Sequence, residues 1–166
     1  SVAPTGRLVA WDLTTSLPVR EWSARDGIAT EFSADSRHLL LRNGNGPVRM
    51  EELVTGAVVR ELPVTTPSKA IWASPDGRFL AVVCAGTNRV EVFRIDEARL
   101  VAALEHPDPI HDCQWHPRRP WLATACSDHR IHVWDAAAGR ELFALEGHQY
   151  RPVSVAFHPT DELLVS

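Results

Sequence analysis

Asp128, His106 and Thr124 are the residue types of a nucleophilic triad. In such a site the acid orients an imidazole, and the imidazole takes the proton of the hydroxyl nucleophile. The hydroxyl must also be accessible, with donors waiting for the oxyanion. The histidines raise a second chemistry. Eight are present; His106, His111 and His116 are spaced by five and His129 and His132 by three, and imidazole is a common zinc ligand. The cysteines argue against a structural zinc site. Cys84, Cys113 and Cys126 form no CxxC pair, and their odd number also speaks against a disulfide framework. All three stand in apolar runs, where buried thiols in a reducing compartment are expected.

The elements that would position these groups come in repeats. An aromatic before a turn recurs at Phe32, Trp72, Trp115 and Phe157; a second series is Trp11, Met50, Phe93 and Trp134, and a third is Trp22, Leu62, Leu104 and Leu145. All three share a period near 42 residues, the range of repeat architectures. Within each period, four short runs rich in Val, Ile, Leu and aromatics are separated by turn residues, which predicts strands a to d. The boundaries are a partial repeat at 1–22, repeats at 23–62, 63–104 and 105–146, and a partial repeat at 147–166. Ser74-Pro75-Asp76-Gly77 predicts an a–b turn with Gly77 left-handed, and Asn43-Gly44-Asn45-Gly46 predicts a b–c hairpin. Ala136 to Leu145 is rich in alanine, yet its alignment with the other c–d hairpins assigns it to turn and strand rather than helix. The final repeat predicts strand a at Val153 to Phe157 and a truncated b at Leu163 to Val165.

Trp134-Asp135 closing a strand, Gly147-His148 before the next unit, the Phe/Trp-x-Pro turns and the period together resemble the WD-repeat (WD40) family of β-propellers. The resemblance covers essentially the whole chain and is strongest in residues 105–146. It implies an all-β propeller segment of about four four-stranded antiparallel blades, with a half-blade at each end, forming an open or partial ring. It also implies a structural tetrad: a buried hydrogen-bonded chain running Asp128, His106, Thr124, Trp134. On that reading Thr124 is tied to a core tryptophan, so no catalytic residues are expected. His116 and His158 occupy the same pre-proline turn position in two repeats, so no metal site and no cofactor are expected either. The other repeats depart from the pattern: the second has Pro63 and Val82 at the histidine and hydroxyl places, and the first has Ser23, Leu40 and Met50. Those blades are expected to rest on apolar packing.

The function expected is a non-catalytic scaffold that binds a protein or peptide through loops on one blade face. In the family the d–a and b–c loops line that face, which puts Asp108, His129, Tyr150 and Arg151 on it; Tyr and Arg are favoured contact residues. A net charge of −4 and a pI near 6.0 give no reason to expect nucleic acid or an anionic membrane as the partner. The alternative function is a regulatory or sensor propeller of a larger multidomain enzyme, such as a WD-repeat-linked protein kinase. Arg in place of Lys (Lys69 is the sole lysine) suits a contact surface or a GC-rich, bacterial-type source. A cytoplasmic location is expected. Strands c and d at the start and a and b at the end add up to one blade, so the chain reads as a fragment of a larger ring in preference to a homodimer that closes one.

Overall fold

The computed structural model describes residues 6–24, 28–43, 46–160 and 162–166. These residues form sixteen strands and no helix. A two-stranded sheet, β1 (Gly6–Asp12) and β2 (Leu17–Ala24), comes first. Three four-stranded antiparallel sheets follow. The first sheet has β3 (Ile28–Phe32), β4 (His38–Asn43), β5 (Val48–Glu52) and β6 (Val58–Leu62). The second has β7 (Ser68–Ala73), β8 (Phe79–Cys84), β9 (Arg89–Arg94) and β10 (Arg99–Glu105). The third has β11 (Ile110–Trp115), β12 (Trp121–Cys126), β13 (Ile131–Asp135) and β14 (Arg140–Leu145). A short pair, β15 (Ala156–Phe157) and β16 (Leu164–Val165), ends the chain. These antiparallel sheets are consistent with the blades of a β-propeller in a partial ring that does not close. The stretch 136–145 is a turn and β14, as its place in the repeat predicts.

Alternation along the strands explains how the blades stack. In β8, Phe79, Ala81 and Val83 pack with Leu122, Trp115 and Trp134 of the third sheet. The intervening Leu80 and Val82 pack with Leu40, Val48 and Leu62 of the first sheet. Successive strand side chains point to opposite faces, so every residue of β8 is buried and the run reads as continuously apolar. A third seam joins Ala123, Ala125, Ile131 and Val133 to Val155, Phe157 and Leu164. Beyond it lies an apolar groove of about 320 Å³, lined in part by His116, Trp121, Phe143 and Leu163. Inner strands tie the seams by hydrogen bonds as well. Trp115 Nε1 donates to Trp72 O across 2.9 Å, and Asp112 Oδ2 accepts from Val155 N at 3.0 Å and Ser154 Oγ at 3.1 Å.

Pairing corrects three assignments made from residue type. Phe32, Trp115 and Phe157 pair with Leu39, Leu122 and Leu164, and in the second sheet it is Ala73, not Trp72, that pairs with Leu80. Trp134 pairs with Leu122 and Phe93 with Leu80, while Leu39 pairs with Glu51, so Glu51 and not Met50 holds that place. Leu41, two residues along β4 from Leu39, then stands where Thr124 does, replacing Leu40. The aromatic or apolar side chain next door drew the eye; hairpin pairing decides. Val64 lies two residues past Leu62 as His106 lies two past Leu104, and it is buried in the seam, so it holds the place assigned to Pro63. The third series holds throughout: Trp22, Leu62, Leu104 and Leu145 pair with Leu8, Val48, Val90 and Ile131. Strand a of the last repeat is shorter than the run Val153 to Phe157, because Ser154 and Val155 bond to Asp112 and only Ala156 and Phe157 pair with β16. Residues 44 and 45 of the expected Asn43–Gly46 hairpin lie outside the described residues.

The a–b turns share one device. Ser74 Oγ accepts from Phe79 N at 2.9 Å and bonds Asp76 Oδ1 at 2.6 Å, while Gly77 sits at φ +69° and donates to Ser74 O. Ser33 and Asp35 do the same in the first sheet. His116 replaces the serine in the third, its Nδ1 accepting from Arg118 N and Arg119 N at 3.1 Å each. A Cβ on Gly77 would meet the Ala34 Cβ at 3.2 Å in a left-handed conformation. Gly77→Ala is therefore expected to cost about 1–2 kcal/mol in a denaturant melt; an unchanged midpoint would mean the turn relaxes freely.

Candidate functional site: the loop end of the third sheet

Pairing places Thr124 opposite His132 and Leu122 opposite Trp134. These four and Cys126 therefore share the face of the third sheet that meets the second. Thr124 is 0% exposed, and its hydroxyl is a junction. His106 Nε2 lies 2.8 Å from Thr124 Oγ1, and Trp134 Nε1 donates to the same oxygen at 3.3 Å. His106 Nδ1 lies 3.0 Å from Leu104 O. A carbonyl only accepts, so Nδ1 carries the proton and Nε2 accepts from the threonine. Burial is the main cause that lowers the His106 pKa to about 4, helped by the neighbouring His132, so the ring is neutral near pH 7.

Asp128 does not join this set. Its Oδ2 lies 2.9 Å from His132 Nε2 and its Oδ1 accepts from Arg130 N at 3.1 Å. Burial pushes the Asp128 carboxyl up, but hydrogen bonds from Cys126 and His132 with the charge of His132 outweigh it, leaving the pKa below its ordinary value. The structure thus brings His106, Thr124 and Trp134 together and diverts the acid to His132. The reason is local: Leu104 O already takes the His106 proton that an acid would accept. Glu141 is a residue that sequence reasoning passed over, and His132, weighed there for its spacing to His129, was not assigned to this set. His132 Nδ1 lies 2.6 Å from Glu141 Oε1, so both ring nitrogens face carboxylates. The signal was available: in a b–c hairpin His132 falls opposite Thr124 and must share its face.

The buried hydroxyl also bears on the triad chemistry. Thr124 has no exposed surface, and its oxygen is held by a core indole. The histidines spaced by five and three likewise disperse. His111 bonds Ser127 Oγ at 2.6 Å, His116 caps its own turn, and His129 is exposed at φ +71°.

Antiparallel order puts the b–c and d–a loops at one end of each sheet. In the third sheet they are stitched together: Ser127 N donates to Pro109 O at 2.9 Å and the Cys126 thiol to Asp108 O at 3.2 Å. The second sheet repeats the tie, from Ala85 N to Pro67 O at 2.7 Å. Asp108, His129, Tyr150 and Arg151 all lie exposed in these loops, and Tyr150 is 82% exposed.

Comparison with known proteins is consistent with this architecture. Residues 98–135 and 139–166 match the family described as WD domain, G-beta repeat. An uncharacterized WD repeat-containing protein of Schizosaccharomyces pombe is 22% identical over 179 aligned residues, covering 100% of this chain and 45% of that protein. WD repeat-containing protein 90 of Mus musculus is 28% identical over 85% of this chain and 8% of its own length. The U5 small nuclear ribonucleoprotein 40 kDa protein of Homo sapiens is 35% identical over 32% of this chain and 15% of its own. The chain thus spans less than half the length of each of these relatives.

Proposed function

This chain is built of WD repeats, and from that premise we propose that it is a non-catalytic scaffold that binds a protein or peptide on the loop end of its blades. The observation that carries the reading is the stitched loop end itself. Exposed Asp108 and His129 stand on loops tied to each other by the Ser127 N to Pro109 O and Cys126 thiol to Asp108 O hydrogen bonds, and exposed Tyr150 and Arg151 lie in the next d–a connection at the same end. Preformed loops bind with little ordering cost, and Tyr and Arg are among the residues enriched in contacts that dominate binding. The relative named as a component of the U5 small nuclear ribonucleoprotein belongs to an assembly by its name, which supports an assembly role for this chain. Three buried free thiols favour a reducing compartment, and we place the protein in the cytoplasm. Among the described residues no helix is long and apolar enough to cross a membrane.

Within this reading His106, Thr124, Asp128 and Trp134 are structural. They hold the blade that presents the loops and touch no partner.

The test is affinity capture from the source cells, with mass spectrometry identifying partners that bind the purified chain directly. Tyr150→Ala with Arg151→Ala is expected to weaken such a partner at least about tenfold without shifting the thermal melt. Arg118→Ala, on the opposite end, is expected to leave affinity within about twofold, since a residue outside the contact contributes little. Binding indifferent to the loop pair but lost with Arg118→Ala would place the interface on the other end.

A further inference from the structure

One cluster on the inner face of the third sheet is not accounted for by packing. Cys126 Sγ, a carboxylate oxygen of Asp128 and a ring nitrogen of His132 all lie within 4.8 Å of one another. Cys126 and His132 are buried, and the Asp128 side chain is 11% exposed at the turn. We propose that Cys126, Asp128 and His132 form a binding site for a zinc-class divalent cation, with Glu141 as the carboxylate that orients the histidine.

The donor set selects the ion. One thiolate, one imidazole and one carboxylate suit zinc or its relatives, whereas calcium and magnesium take oxygen. Zinc bonds of about 2.0–2.3 Å place tetrahedral ligands about 3.3–3.8 Å apart. Nε2 of His132 and Oδ2 of Asp128 stand at 2.9 Å, so they need open by only about half an ångström for an ion with bonds of that length to enter. Two anionic ligands then balance the ion. On binding, the thiol proton and the proton on Nε2 leave to solvent, and no electron moves. Glu141 already holds Nδ1 at 2.6 Å, as the carboxylate partner of a metal-bound histidine does, fixing which nitrogen is free to ligate. Cys126 N donates to Arg130 O at 3.1 Å, so the hairpin that carries all three ligands is closed beneath them. The exposed side of Asp128 leaves a fourth position to water.

The second sheet supplies an internal contrast. Cys84 stands where Cys126 does, and Glu91 pairs with Val82 as His132 pairs with Thr124. There the cation is already provided: Arg89 bonds Glu91, whose other oxygen accepts from Thr66 at 2.9 Å. The matching residue of the third sheet, Arg130, turns outward to Glu146 at 2.7 Å. Among the described residues no lysine or arginine side chain is paired with Asp128, His132 or Glu141.

Cobalt(II) is the probe. The chelator-stripped full chain, titrated with cobalt, is expected to develop a thiolate-to-cobalt charge-transfer band and tetrahedral visible bands at one ion per chain, all displaced by zinc. Cys126→Ser should abolish the charge-transfer band, and Cys84→Ser should keep it. Glu141→Gln should weaken zinc about 10–100-fold while leaving the band's shape unchanged. X-ray absorption on the zinc-loaded wild type guards against variants that fail to fold. It should show one sulfur near 2.3 Å with nitrogen and oxygen near 2.0 Å. The proposal falls if wild type gives no charge-transfer band, if the band survives Cys126→Ser, or if the zinc shell holds no sulfur.

Discussion

Acidification from pH 7 to pH 4 will cost the fold about 3 kcal/mol through His106 alone. The folded pKa is lowered from 6.5 to about 4, chiefly because burial penalises the charged ring. Where a folded pKa lies below the unfolded one, the unfolded chain takes up the proton first as the pH falls. The stability contributed by the neutral ring is therefore complete above pH 6.5 and is lost progressively down to about pH 4. Each pH unit in that window is worth about 1.4 kcal/mol. Several carboxylates, among them Asp35 and Asp128, also have lowered pKa values and add their own losses nearer the acid end. Comparison with His106→Gln separates them, because glutamine can still donate to Leu104 O and accept from Thr124 but does not titrate. Chemical melts of both proteins at closely spaced pH, with chelator present, should show the wild type losing about 3 kcal/mol more than the variant between pH 7 and pH 4. Parallel curves would mean that His106 is already charged in the fold or is exposed to solvent.

Replacing Thr124 by valine should cost about 2–4 kcal/mol, although the side chain keeps its shape. The hydroxyl gives the Trp134 indole N–H its acceptor and His106 Nε2 its donor. Without it two buried polar groups lose their partners at once, each at about 1–3 kcal/mol. Strain is not the cause, since Val82 occupies the same place in the second sheet and is fully buried. Val82 is accommodated there because Val64 and Phe93 stand in the places of His106 and Trp134, and its buried pairing partner Glu91 is satisfied by Arg89 and Thr66. For a chain of this size the loss corresponds to a fall of about 5–15 °C in the melting midpoint. Thr124→Ser, which retains the oxygen, should recover most of it. A valine variant within about 0.5 kcal/mol of wild type, the range of ordinary surface changes, would show that His106 and Trp134 find other partners.

Sequence made the blades legible because two independent signals agreed. The period near 42 residues located the repeats, and turn chemistry such as Ser74-Pro75-Asp76-Gly77 located the reversals, where Gly77 does adopt a left-handed φ. Register was less legible. Side-chain type points to Trp72 and Met50, whereas backbone pairing selects Ala73 and Glu51. Glu51 is a poor guess for a tryptophan's place from composition alone. It is tolerated because it accepts from the Trp22 indole at 2.8 Å, a partner contributed by the preceding sheet. The candidate site was legible where it follows from repeat alignment, as with His106, Thr124 and Trp134. It was not legible at Asp128, whose carboxylate had two histidines within the same hairpin neighbourhood to choose from. Only the carbonyl of Leu104, invisible in a string of side-chain letters, decides that choice.

The alternation along β8 sets how the chain should come apart. The second sheet has a full sheet against each face, so no strand of its centre can open without breaking two seams. Among the described residues the first and third sheets each have a two-stranded partner on one side, and apolar side chains such as Trp11 and Phe143 are exposed there. The inter-blade contacts of β7 with β3, and of β11 with β7 and β15, run from one blade to the next, the condition for graded loss of structure in a linear array. Amide protection should therefore decline outward from Leu80–Val83 and Val90–Phe93, and heat should fray this chain from its two flanks while its middle blade still stands.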